Sequence, residues 1–62
     1  MQLKLHQLRE EKGLSQIELA KRSGVSQPFI SQIEKGERVP SVFIAKKIAV
    51  ALDKTVDEMI LM

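Results

Sequence analysis

In the stretch SGVSQPFISQIEKG, residues 23–36, uncharged side chains stand where most exposed helix faces carry Lys and Glu. Gln27, Ser31 and Gln32 each offer a hydrogen-bond donor and an acceptor, with Pro28 and Phe29 set among them. A glutamine carboxamide can bond an adenine edge through two parallel hydrogen bonds. A hydroxyl suits a base edge or a phosphate, and an aromatic ring can meet a thymine methyl. A blander reading stands beside this one. Each glutamine taken singly is an ordinary surface residue, and Phe29 packs on the preceding helix.

The elements that carry these residues decide between the two. Gly13, Gly24, Gly36 and Pro40, with Asp53-Lys54 as a weaker break, divide the chain into about five short helical pieces. Val and Ile show no sustained alternation, so strands are not expected and the fold class is an all-α compact bundle. The first helix is expected over residues 3–12, ending at Gly13 as a left-handed C-terminal cap. Ser15 and Glu18 have the spacing of a capping box, opening a second helix that runs to about Arg22. Ser23-Gly24-Val25 leaves room only for a tight turn, where Gly24 supplies a positive φ and Ala20 a small side chain for the crossing. Ser26 then caps a helix over 26–35. Pro28 falls in its first turn, where a missing N–H costs no intrahelical bond. Ser41 caps a fourth helix to about Leu52, and Thr55 with Glu58 forms a second capping box before a last short helix.

Leu19, Val25, Ile30 and Ile33 have the spacing to lock the second and third helices over one core, which turns Gln27, Pro28, Ser31 and Gln32 outward. Two helices joined by a short glycine-containing turn make a helix-turn-helix. With that geometry the DNA reading of the glutamines outweighs the bland one.

GLSQIELAKRSGVSQPFISQIEKGERVPS resembles the phage-repressor family of helix-turn-helix domains, the lambda-repressor or Cro-like, Xre-type group. The resemblance covers essentially the whole chain, taken as one domain over residues 1–62, and LSQIELA, SGVS and ISQIEKGERVPS are its most specific parts. It implies sequence-specific binding of double-stranded DNA by a transcriptional regulator of repressor type. Gln27 and Gln32 match base-contacting glutamines, with Phe29 and Ser31 on the same face. Pro28 stands where relatives often carry a polar base reader and can offer only apolar contact. Gln16 matches a residue that bonds a phosphate and braces the recognition helix; Ser26, Lys35, Arg38 and Ser41 complete the expected phosphate contacts. Arg9 and Glu34 match a structural ion pair between the first and third helices.

Composition bounds the alternatives. The 62 residues hold ten Lys plus Arg against eight Asp plus Glu, for a formal net charge of +2, and no cysteine. Disulfides and thiolate metal sites are therefore excluded, and stability must come from packing or a partner. No apolar run approaches the roughly 20 residues of a membrane span, so the chain reads as soluble and cytoplasmic. An enzyme fails on inventory: the sole histidine, His6, reads as a solvated residue on the first helix, and no phosphate-cradling glycine loop is present. No cofactor, metal or small-molecule ligand is expected. Lys46 and Lys47 read as solvating residues of the fourth helix.

Ala45, Ile48, Ala49 and Leu52 form an i, i+3, i+4, i+7 stripe for the core, with Val56 and Met59 beyond it. Phe43, Ile44 and Val50 fall off that stripe, and the chain ends in Ile60-Leu61-Met62. Such a leftover apolar patch suggests an interface. The expectation is a homodimer through Ile44, Ile60 and Leu61, with Phe43 beside them. A continuation of the chain, or a protein partner of an antitoxin or adaptor module, would cover the same patch.

Overall fold

The structure is a computed structural model that describes residues 3–60. Five helices follow in order: α1 Leu5–Glu11, α2 Gln16–Ser23, α3 Gln27–Glu34, α4 Val42–Ala51 and α5 Val56–Met59. Among the described residues there is no strand, only an isolated antiparallel bridge between Leu3 and Ile60. Each helix contributes one of the five largest wholly buried side chains: Leu5, Leu19, Ile30, Ile48 and Met59. Leu3, Leu8, Leu14, Val25, Ile33, Ala45, Ala49 and Leu52 close around them. Burying a side chain of this size contributes about 1.5–3 kcal/mol, so every helix is held mainly by its apolar stripe.

The starts of the helices follow the short polar residues. Ser15 accepts from the backbone N–H of Glu18 while the Glu18 carboxylate accepts from the N–H of Ser15, and Thr55 with Glu58 repeats the arrangement. Ser26 and Ser41 cap α3 and α4 through the N–H groups of Phe29 and Ile44. The first helix departs from expectation. It begins at Leu5, because the Lys4 N–H donates to the carbonyl of Met59 at 2.9 Å and Leu3 runs extended beside Ile60. That backbone pairing takes Leu3 out of the helix and keeps its side chain buried.

Three helices stop in the same way. After α1 the N–H groups of Gly13 and Leu14 reach back to Glu10 and Arg9; after α3 those of Gly36 and Glu37 reach Ile33 and Gln32. After α4 the donors are Asp53 and Lys54, bonded to Val50 and Ala49. Each is a Schellman stop, which needs a left-handed residue. Asp53 fills that place with φ 57°, where glycine is the usual occupant, and its carboxylate pairs with Lys12 at 2.6 Å.

One polar cluster ties α1 to α3. Arg9 donates from Nε to Glu34 Oε2 at 2.7 Å, from a terminal nitrogen to Glu34 Oε1 at 3.2 Å, and from the other to the Leu14 carbonyl at 2.7 Å. The two side chains are 10% and 6% exposed, so this bidentate pair is shielded from water in a way surface pairs are not. His6 joins it. Exposed to solvent as expected, its ring still reaches the edge of the cluster: Nδ1 lies 3.1 Å from Glu34 and Nε2 3.0 Å from Glu10. Burial would push the Glu34 carboxyl up, but hydrogen bonds from Arg9, Gln16 and His6 and the Arg9 charge outweigh it and hold the carboxyl below the ordinary glutamate range.

Asp53→Gly is expected to keep or raise the melting temperature, whereas Asp53→Val lowers it by about 5 °C, since a β-branched residue resists positive φ. Equal melting of the two variants would mean that Asp53 is not held in the left-handed region. For Glu34, the folded-state value lies below the unfolded one. Its stabilisation is then complete above the ordinary glutamate value near pH 4.3 and is lost as pH falls through the lower folded value. Glu18 and Glu58 are shifted in the same direction by the capping-box bonds of Ser15 and Thr55. In urea melts between pH 3 and 5, Glu34→Gln removes part of the acid slope. Glu34→Ala costs about 3–5 kcal/mol at neutral pH because Arg9 stays buried without its partner. A slope unchanged by the Gln substitution would remove Glu34 from the acid response.

Candidate nucleic-acid interface

The turn between α2 and α3 is built from three features. Gly24 takes φ 75° and its N–H donates to the carbonyl of Ala20. A Cβ placed there would meet nothing within 4 Å, so glycine is needed for the backbone angle and not for space. Ser23, nearly buried, accepts from the Val25 N–H at 3.2 Å and braces the corner. Ser26 then starts α3, with Pro28 in its first turn.

α3 turns Ile30 and Ile33 fully into the core. Pro28 is exposed; Gln27, Phe29, Ser31 and Gln32 are half-buried. The expected outward face is therefore present, but three of its members are held from within the protein. The Gln27 carboxamide donates to Gln16 Oε1 at 2.7 Å, and Gln16 Nε2 donates to Glu34 Oε1 at 3.2 Å. A carboxylate can only accept. Gln16 must turn its NH2 to Glu34 and its oxygen to Gln27, and Gln27 must answer with its NH2. The orientation of both amides is thus set by Glu34, leaving the Gln27 oxygen free at the head of α3.

Gln32 is fixed in the opposite sense. Arg38, which can only donate, bonds Gln32 Oε1 from Nε at 2.9 Å. The free end of Gln32 is its NH2. The Arg38 guanidinium also lies 5.0 Å from the centroid of the Phe29 ring, a cation–π distance. Arg38 therefore folds back over α3, with its terminal N–H groups still available to an anion. Phe29 joins the margin of the core.

The other expected residues are spread around this face. Gln16 is half-buried at the start of α2; Ser26 and Ser41 are exposed N-caps, and Lys35 is the exposed C-cap of α3. Arg9 and Glu34 form the expected ion pair. The apolar foursome divides. Phe43 is 71% exposed, Ile44 and Ile60 are partly buried against the core, and Leu61 lies outside the described residues. Gln16 braces α3 as expected, through Glu34 and Gln27; the amide sense that this brace imposes, the Ser23 bond at the corner and the Arg38 fold-back were not legible in the sequence. An arginine six positions beyond Gln32 and just past a helix stop was the available signal for the last. Among the described residues no group of three or more His, Cys, Asp or Glu could hold a metal, and no helix is long and apolar enough to cross a membrane.

Comparison with known proteins agrees with this geometry. The helix-turn-helix family model matches residues 5–59. An HTH-type transcriptional regulator of Sinorhizobium fredii is 49% identical over 45 residues, covering 73% of this chain and 58% of that protein. SinR of Bacillus subtilis is 37% identical over 54 residues, 86% of this chain and 49% of its own. The chain thus spans about half the length of these relatives. Among solved structures, the restriction-modification controller protein C.AhdI of Aeromonas hydrophila superimposes with a TM-score of 0.87 at 39% identity, covering 90% of this chain and 85% of that one. SinR in its complex with SinI gives 0.82 at 36% identity, covering 87% and 53%. With α2, the Gly24 turn and α3 arranged as described, the chain belongs to the helix-turn-helix family of DNA-binding transcriptional regulators, in its Xre/Cro-like group.

Proposed function

We propose that the chain is a sequence-specific repressor that lays α3 in the major groove of double-stranded DNA and acts in the cytoplasm as a symmetric dimer. The observation that carries this reading is the amide orientation on α3: an acceptor held ready at Gln27 and a donor at Gln32. An acceptor suits the amino group of adenine or cytosine, and a donor suits purine N7, guanine O6 or thymine O4. Holding both amides in place before binding reduces the entropy lost on contact. Pro28 and Phe29 add apolar contact, and Ser31 stands between the two glutamines. Gln16, Ser26, Lys35, Arg38 and Ser41 are assigned to phosphates, which position the helix without reading sequence.

For the dimer, Ile44, Ile60 and Leu61 are the proposed contact, which sets two copies of α3 about 34 Å apart along one DNA face. SinR, a neighbour in fold, was solved with a second protein, SinI. A protein-binding module such as an antitoxin or adaptor is accordingly the second reading.

The test begins with duplexes selected from a random pool. Gln27→Ala and Gln32→Ala are each expected to weaken the selected duplex by about 1–3 kcal/mol while leaving random duplex nearly unchanged. Equal weakening on both would remove them as base readers. Binding to random duplex should fall steeply with salt, and its absence even at low salt would reject the DNA reading. Sedimentation at micromolar concentration should show a dimer; monomer alone would overturn the symmetric assembly.

A further inference from the structure

The outer face of α4 carries two large apolar side chains that the core leaves uncovered. Phe43 is 71% and Val50 76% exposed, and seven residues apart they lie on one side of the helix. Lys46 and Lys47 stand between them, with the Lys47 ammonium 5.6 Å from the Phe43 ring centroid. The last turn of α2 supplies Arg22 and Ser23, and these six residues line one open groove. Among the described residues lining it there is no carboxylate. On the far side of Val50 a second concavity continues through Lys54 to Val56 and Asp57. Across both, four cations stand against one acid, while the whole chain has ten against eight. The chain's positive excess is therefore gathered around its most exposed apolar residues.

This combination selects among occupants. A phosphate backbone would satisfy the cations but has nothing to bury against Phe43 and Val50. A second copy docking symmetrically on this face would set Lys46, Lys47 and Arg22 against their own likenesses, a like-charge arrangement that rejects a partner. An apolar anchor flanked by carboxylates satisfies both halves of the surface. We propose that the α2–α4 groove is a docking site for a short acidic amphipathic segment of a partner protein. One Leu or Phe side chain of that segment seats between Phe43 and Val50, and its Asp or Glu residues meet Arg22, Lys46 and Lys47. The mode is that of a helix laid in a groove, and the site is separate from the face of α3 assigned to DNA.

The test is titration of the isotope-labelled chain, followed by amide resonances, with three short synthetic peptides. One is a Glu-rich amphipathic helix with Leu anchors; the second replaces every Glu by Lys; the third replaces every Leu by Ser. The first is expected to shift Arg22, Phe43, Lys46, Lys47 and Val50, and the other two are expected to leave them in place. Phe43→Ser and Val50→Ser, both at exposed positions, should keep the dispersed spectrum of a folded chain and weaken the first peptide about tenfold. Three results would overturn the proposal: no shift in this groove with the Glu–Leu peptide, an equal response to the peptide lacking Leu, or shifts confined to Gln27 and Gln32. Two more would give the surface to another occupant and overturn it as well. These are the same resonances moving with random duplex, or moving with protein concentration alone.

Discussion

A single buried carboxylate organises the reading head of this molecule. Glu34 closes α3, accepts from Nε and one terminal nitrogen of Arg9 in α1 and from Gln16 of α2. Three helices therefore meet at two oxygen atoms. The energetic consequence is asymmetric. A shielded ion pair contributes modestly against a well-packed apolar alternative, but loss of either partner strands the other without water. Here the arrangement also has a chemical output, because an acceptor-only group at the centre dictates which way each amide must point outward through Gln16 to Gln27. Replacing the cluster by apolar side chains could preserve packing and would leave those amides free to rotate.

Size explains why the local signals are so dense. A chain of 62 residues buries a limited area, and each helix is only 4 to 10 residues long, below the length at which a helix holds itself in water. Helix ends must then be written chemically. Four of the five helices begin at a Ser or Thr whose side chain accepts from the first turn, and three stop in the same left-handed motif. The α4 stop tolerates Asp53 instead of glycine because aspartate is among the few side chains that visit this region readily, and Lys12 is at hand to pair with it.

Those short-range devices are what made the fold legible before coordinates. Both capping boxes, Pro28 as a first-turn residue and the Ala45–Ile48–Ala49–Leu52 stripe depend on spacings of three to seven residues, which a linear pattern records. The features that escaped depend on partners far away in the chain. Leu3 leaves the first helix because of Met59 and Ile60. Of the candidate site, the outward residues were readable from Ile30 and Ile33, which fix the buried face. The hydrogen-bond sense of Gln27 and Gln32 was not, since it is imposed by Glu34 through Gln16 and by Arg38 from beyond the helix end. A type of side chain predicts what it can bond; only its neighbours decide which end it presents.

One short helix can serve separate purposes. α4 is capped by Ser41, buries Ala45, Ile48 and Ala49, and turns Phe43, Lys46, Lys47 and Val50 to solvent. Because 3.6 residues make a turn, the outer set can change without disturbing the inner one, so a docking surface there is free to vary independently of the fold. It is not independent of the reading head. Arg22, on the rim of the groove, and Gln16, which orients Gln27, belong to the same helix α2, six residues or about 9 Å apart along its axis. An occupant that contacts α2 equally in the free and DNA-bound states would leave operator affinity untouched. One that favours a particular tilt of α2 would alter the hold of Gln16 on Gln27, and DNA would then alter the hold on that occupant by the same factor.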